Sequence, residues 1–216
     1  MEDLELIAAA HHEAGHIVVA HALDCRVSGV ELFWSERGRW FGHSSIRLCK
    51  DDPQGLERLM RIPELSAAGA KTAVAGMLAQ AKHNGIQEFG DGIQFDLGAD
   101  LSSMTEFLRD NIRTEESAGS VVFSFAKSGS EVVSLELSGQ CFSTADSKRF
   151  NSCLSEGGGL DPVAITRATM QLIDDAANWK KIEEVAALVL SQPSTGEEKR
   201  RSLTADELLE ALTAHG

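Results

Sequence analysis

The pentapeptide His12-Glu13-Ala14-Gly15-His16 constrains this chain more than any other feature. It lies inside DLELIAAAHHEAGHIVVAHAL, residues 3–23, which has no proline, one glycine and abundant alanine. Apolar residues recur there at helical spacing, which predicts a long helix buried on most faces toward its C-terminal half. On a helix, residues four apart share a face, so His12 and His16 can present both imidazoles to one metal ion. Two imidazoles at i and i+4 suit Zn²⁺, and Glu13 beside them can serve as a general base without being a ligand. Ala14 and Gly15 are expected to keep the helix slim where a substrate cleft would pass.

Two histidines and a water leave one protein ligand to be found. The longer HExxHxxGxxH pattern would supply a third histidine. Val19 and Ala22 occupy its glycine and histidine positions, so that class is excluded. His21 is five residues past His16 and faces elsewhere. The remaining ligand must lie downstream, and a carboxylate is the expected type. Asp100, Asp96, Asp91, Glu88 and Glu64 all compete for that role, and a carboxylate opening a helix, as Asp100 would, is often only a cap. His11 precedes the ligand pair and points to another face. His43 and His83 are expected at the surface or behind the site.

The rest of the 216-residue chain reads as α+β and mostly helical, with a zincin-like HExxH helix, small β-hairpins and C-terminal helices. Val27, Val30, Leu32 and Trp34 form a β-type run. Arg37-Gly38 can turn it, and residues 40–48 can return as a second strand. Trp34, Trp40 and Phe41 flank that turn, either as hairpin packing or as subsites along an edge strand. Residues 65–82 read as an Ala-rich helix, 84–98 as a loop, and Asp100 opens a helical pattern. Val121, Phe123 and Phe125 alternate, as do Val133, Leu135 and Leu137, which signals a second hairpin. Gly157 to Gly159 read as a connector. Asp161-Pro162 starts a helix to about Asn178, another runs through residues 182–190, and Pro193 and Gly196 end it. Thr204 and Glu207 make a capping box for a last helix, residues 205–214. One domain is expected over residues 1–216: a zinc-binding core (1–113), a Ser/Gly-rich β-like insertion (114–160) and C-terminal helices (161–216).

Composition removes several function classes. The net charge of -13, from 33 acidic against 20 basic residues, argues against a nucleic-acid surface or docking on anionic lipid. No apolar run is long enough to span a bilayer, and the acidic N-terminus is unlike a secretory signal. Four scattered cysteines without a CxxC pair read as reduced thiols, so a cytoplasmic protein is expected.

Several segments resemble one family in their order along the chain. AAHHEAGHIVVAHAL is similar to the zinc-binding helix of the FtsH-type ATP-dependent metalloproteases, and VSGVELFWSERGRWFG to that family's strand, Arg-Gly turn and following strand. AVAGMLAQ resembles its Ala/Gly-rich helix, with Gln80 where a glutamate is usual. LGADLSSM resembles the segment that supplies an aspartate ligand. The resemblance covers roughly residues 8–113, faintly the last helices, and not 114–160. It implies Zn²⁺ held by His12, His16 and Asp100, with Glu13 activating water to cleave peptides or unfolded polypeptides. Only eleven residues precede His12, so the family's ATPase module and membrane anchor are expected to be absent. Folded substrates would then need a separate unfoldase or partner protein. A zinc-binding scaffold or an interaction module without proteolysis would share the same motif.

Overall fold

The structure, a computed structural model, describes residues 2–36, 38–48, 62–84, 93–94, 121–127, 131–137, 144–158 and 160–214. They are mostly helical with small antiparallel sheets, an α+β arrangement. Helix α1 spans Glu2–Ala22 and is the centre of the packing. It is buried continuously from Ala10 to Ala20, which is why the sequence there is apolar or small on every face. Helix α2 (Ile62–His83) crosses it on one side, and the strands β1 (Arg26–Trp34) and β2 (Trp40–Arg47) cover another.

The α1–α2 crossing is very close. A Cβ added at Gly15 would collide with the Ala79 side chain and the Ala75 carbonyl. Gly15 therefore serves helix packing, and Ala14 is fully buried. At Gly15 the expectation of a helix kept slim for a substrate is corrected: the neighbour is α2.

At the end of α1 the Cys25 N–H donates to the Ala20 carbonyl, and Asp24 adopts a left-handed φ of 60°. This αL cap, usually glycine, reverses the chain into β1. The hairpin forms as expected, with Trp34 opposite Trp40 and Leu32 opposite Gly42. Gly38 has φ 71° in the turn, where a glycine carries little steric cost. On its other side β1 pairs with β6 (Arg201–Thr204), giving the antiparallel order β2-β1-β6. Strand β6 was not expected; it has only four residues and one buried side chain, Leu203. Among the described residues, strand β2 thus lies at one edge of this sheet.

A second antiparallel sheet joins β3 (Ile93–Gln94), β4 (Val121–Lys127) and β5 (Glu131–Leu137). The β4–β5 hairpin matches the expected alternation, and β3 is a short strand inside a segment read as loop. The helix expected from Asp100 lies outside the described residues.

Residues 144–156 correct the β-like reading of the insertion, because Thr144–Glu156 form helix α3. Phe150, Cys153 and Leu154 are its buried stripe, and α3 packs on α2. Helix α4 (Pro162–Asp174) begins at Pro162, but it stops before the expected Asn178. Asp175 caps α5 (Ala176–Ser191) by accepting from the Asn178 N–H at 3.0 Å. Helix α6 (Ala205–Thr213) carries the Thr204–Glu207 capping box. Among the described residues no helix is long and apolar enough to cross a membrane.

Replacing Gly15 by alanine separates two opposing effects. Helix propensity alone favours alanine by about 1 kcal/mol. Overpacking against Ala75 and Ala79 should outweigh it and destabilise the fold, with a penalty of about 1–3 kcal/mol for the steric term alone. Urea unfolding should therefore show a lowered midpoint, and a raised midpoint would mean the helices do not approach this closely.

Candidate metal centre

The i, i+4 spacing on α1 brings the His12 and His16 rings to 4.8 Å between centroids, edge to face. Both are nearly inaccessible, at 9% and 5% exposure. Each ring is held by its Nδ1. His16 Nδ1–H donates to the Thr72 carbonyl at 2.6 Å, and His12 Nδ1–H donates to Gln80 Oε1 at 3.1 Å. Both acceptors belong to α2, so the close helix crossing also fixes the two imidazoles. With Nδ1 carrying the proton, each Nε2 lone pair is directed away from its anchor, as a metal ligand requires. Gln80 thus fills its role as a neutral amide acceptor where the resembled family has a carboxylate.

A carboxylate that the sequence reading missed faces both Nε2 atoms. Asp146, in the first turn of α3, places Oδ2 3.3 Å from His12 Nε2 and Oδ1 3.5 Å from His16 Nε2. Glu13 completes the group, since His12, Glu13 and His16 bring ligating atoms within 4.8 Å of one another. Among the described residues this is the one cluster of three His, Cys, Asp or Glu able to hold a metal.

The residues fit a metal on two grounds. Charge-assisted N–H···O⁻ bonds run at about 2.7–2.9 Å, shorter than either contact here. Donors about 2.0–2.1 Å from a tetrahedral Zn²⁺ would lie about 3.4 Å apart, which matches both. Moreover, the space is kept open by the backbone of α2: a Cβ at Gly76 would overlap His16 Nε2 and His12 Nε2. Two nitrogens and one carboxylate oxygen form a donor set that suits a divalent metal ion.

Asp100 and its rivals Asp96, Asp91 and Glu88 lie outside the described residues. Glu64 is exposed in the first turn of α2. His43 is exposed on β2, while His11 is buried, donates from Nδ1–H to the Ile7 carbonyl at 2.8 Å, and stacks on His83 at 3.7 Å. Trp34 and Trp40 meet edge to face at 5.5 Å and Phe33 stacks with Phe41 at 6.2 Å, as cross-strand pairs. A signal for Asp146 existed: Phe150, Cys153 and Leu154 follow it at helical spacing.

The charges are strongly coupled. Burial alone would lower the His16 pKa, but the bond and charge of Asp146, the Glu13 charge and the Thr72 carbonyl raise it to about 9. Burial would raise Asp146, yet its bonds to His12 and His16 hold it well below the usual carboxylate range. Without metal, a proton therefore occupies the centre at neutral pH.

No protein-family model matches this chain, and no curated protein matches it in sequence.

The proton gives a pH signature. His16 has a folded pKa above 6.5, so its contribution to metal-free stability is full below 6.5 and lost as pH rises through about 9. A metal ion bound by His16 Nε2 would have to displace that proton, so apparent affinity for added zinc should rise about tenfold per pH unit below 9. Calorimetric titration in buffers of different ionisation heat should show about one proton released per zinc at pH 7. Zero release, with affinity flat in pH, would contradict the assignment.

Proposed function

We propose that this chain is a zinc-dependent peptidase of the zincin type, with Zn²⁺ held by His12, His16 and Asp146 and with Glu13 as general base. The convergence of the Asp146 carboxylate on both HExxH Nε2 atoms carries this reading. The order of α1, the hairpin and α2 also supports it, because the same order carries the resemblance to the FtsH-type peptidase domain. The resemblance alone assigned the third ligand to Asp100. The proposed ligand is Asp146 instead, since its carboxylate is at the two imidazoles.

When bound, Zn²⁺ would lower the pKa of a coordinated water and polarise the scissile carbonyl. Glu13 would take the proton of the attacking water and deliver it to the leaving amine nitrogen. His12 and His16, locked by Gln80 and Thr72, need no reorganisation during that transfer. Strand β2 runs beside Glu13 and is an edge strand, so an extended peptide could add to it through main-chain hydrogen bonds. Short peptides or unfolded polypeptides are the fitting substrates, and a separate unfoldase would have to present folded ones.

A second reading is a metal-holding scaffold. The burial of Glu13, at 6% exposure, and of both histidines favours it, because a substrate must reach the base.

Purified protein should contain about one zinc per chain, and Asp146→Ala should lose most of it while Asp100→Ala keeps it. The reverse result would return the third ligand to Asp100. Wild-type protein should cleave an unfolded casein-like substrate, and Glu13→Gln should reduce kcat about 10²–10⁴-fold with zinc retained. Zinc without cleavage in the wild type selects the scaffold.

A further inference from the structure

We infer that Ser44, on the edge strand β2, is a positioning residue that holds the Glu13 carboxylate in one orientation beside the two histidines. Its catalytic meaning rests on the peptidase reading above. The hold itself does not.

Ser44 Oγ lies 2.5 Å from Glu13 Oε2 and 3.3 Å from the Glu13 carbonyl oxygen. A hydroxyl has one proton to donate. The much shorter contact assigns that proton to the anionic carboxylate, the stronger acceptor. Two residues earlier on the same face of β2, Gly42 makes room for the same side chain. A Cβ there would overlap Glu13 Cγ and Oε1. Strand alternation places Gly42 and Ser44 together on this face. The strand therefore offers a notch for the glutamate stem and a donor for one oxygen.

A glutamate has three rotatable torsions, and fixing them costs conformational entropy. Glu13 is buried, so whatever fixes it must also satisfy it. With Oε2 engaged by Ser44, Oε1 is the oxygen left to take and release a proton. Strand β2 thus joins the two halves of the site: its edge can receive a peptide, and its inner face aims the base. Nothing in HExxH itself encodes this second role, because the contact spans 31 positions in sequence.

The test uses the full chain with Ser44→Ala, Ser44→Cys and Ser44→Thr. Cysteine keeps the volume with a weak donor, and threonine restores the hydroxyl. The first measurement is the infrared carboxylate band of Glu13, isolated by subtracting the spectrum of Glu13→Gln in matched zinc-free samples. The band should shift in Ser44→Ala, or in Ser44→Cys if the alanine variant does not fold, and return in Ser44→Thr. An unshifted band overturns the inference. The second is turnover of zinc-loaded protein at equal metal content. Ser44→Ala should lose about 10- to 100-fold in kcat with KM within about twofold, and Ser44→Thr should recover it. Unchanged kcat, or an equal loss in Ser44→Thr, overturns the positioning role. If wild-type protein shows no turnover, the peptidase reading fails, and the infrared band alone decides whether Ser44 holds Glu13.

Discussion

The close crossing of α1 and α2 is the contact on which the rest of the structure depends. Gly15 lets the helix backbones approach, with Ala75 and Ala79 filling the space a side chain would need. That approach puts the Thr72 carbonyl and the Gln80 amide at the two imidazoles. One turn along, Gly76 leaves open the volume in front of both Nε2 atoms. A looser crossing would lose packing and ligand orientation together, because the same two helices supply both. The HEAGH segment is thus a packing motif as much as a metal motif: its histidines face the site while its glycine faces α2.

The second constraint is electrostatic. Helix α3 is polar and docks through a short stripe of Phe150, Cys153 and Leu154. Its Asp146 enters a nearly closed site that already holds Glu13 and two histidines. A buried carboxylate is costly unless a cation compensates it. In the metal-free state a proton on His16 provides that charge. A divalent ion would provide it more fully and tie α3 to α1. Metal binding and the docking of α3 therefore act on the same free energy. This coupling would operate in a peptidase and in a scaffold alike; cleavage requires in addition that substrate reach Glu13 past the edge of β2.

Much of this arrangement was legible in the sequence because its signals are local. The His12–His16 spacing, the β-type run from Val27 to Trp34 and the Thr204–Glu207 cap each lie within a few residues. The β4–β5 hairpin was readable for the same reason. What escaped detection depends on distant partners. Asp146 meets His12 across 134 positions, and the Ser/Gly-rich composition around it masked the helical stripe of α3. Strand β6 is too short for a periodic signal and exists because β1 has an edge to fill. The break before α5 was expected near Asn178 but falls at Asp175, whose side chain caps α5 through the Asn178 N–H. Ser44 was one serine among many in a strand until Glu13 was placed against it. The loop and helix read over 84–113, Asp100 included, extend mostly beyond the described residues.

In the proposed metal site, Asp146 supplies the third ligand beside the two HExxH histidines. Anomalous diffraction from zinc-soaked crystals on both sides of the zinc edge tests it most directly. A single strong peak is expected, bounded by His12 Nε2, His16 Nε2 and a carboxylate oxygen of Asp146, at about 2.0–2.2 Å from each. A peak coordinated by the two histidines and a different carboxylate, with Asp146 turned away, would contradict it, as would the absence of any peak between the two imidazoles.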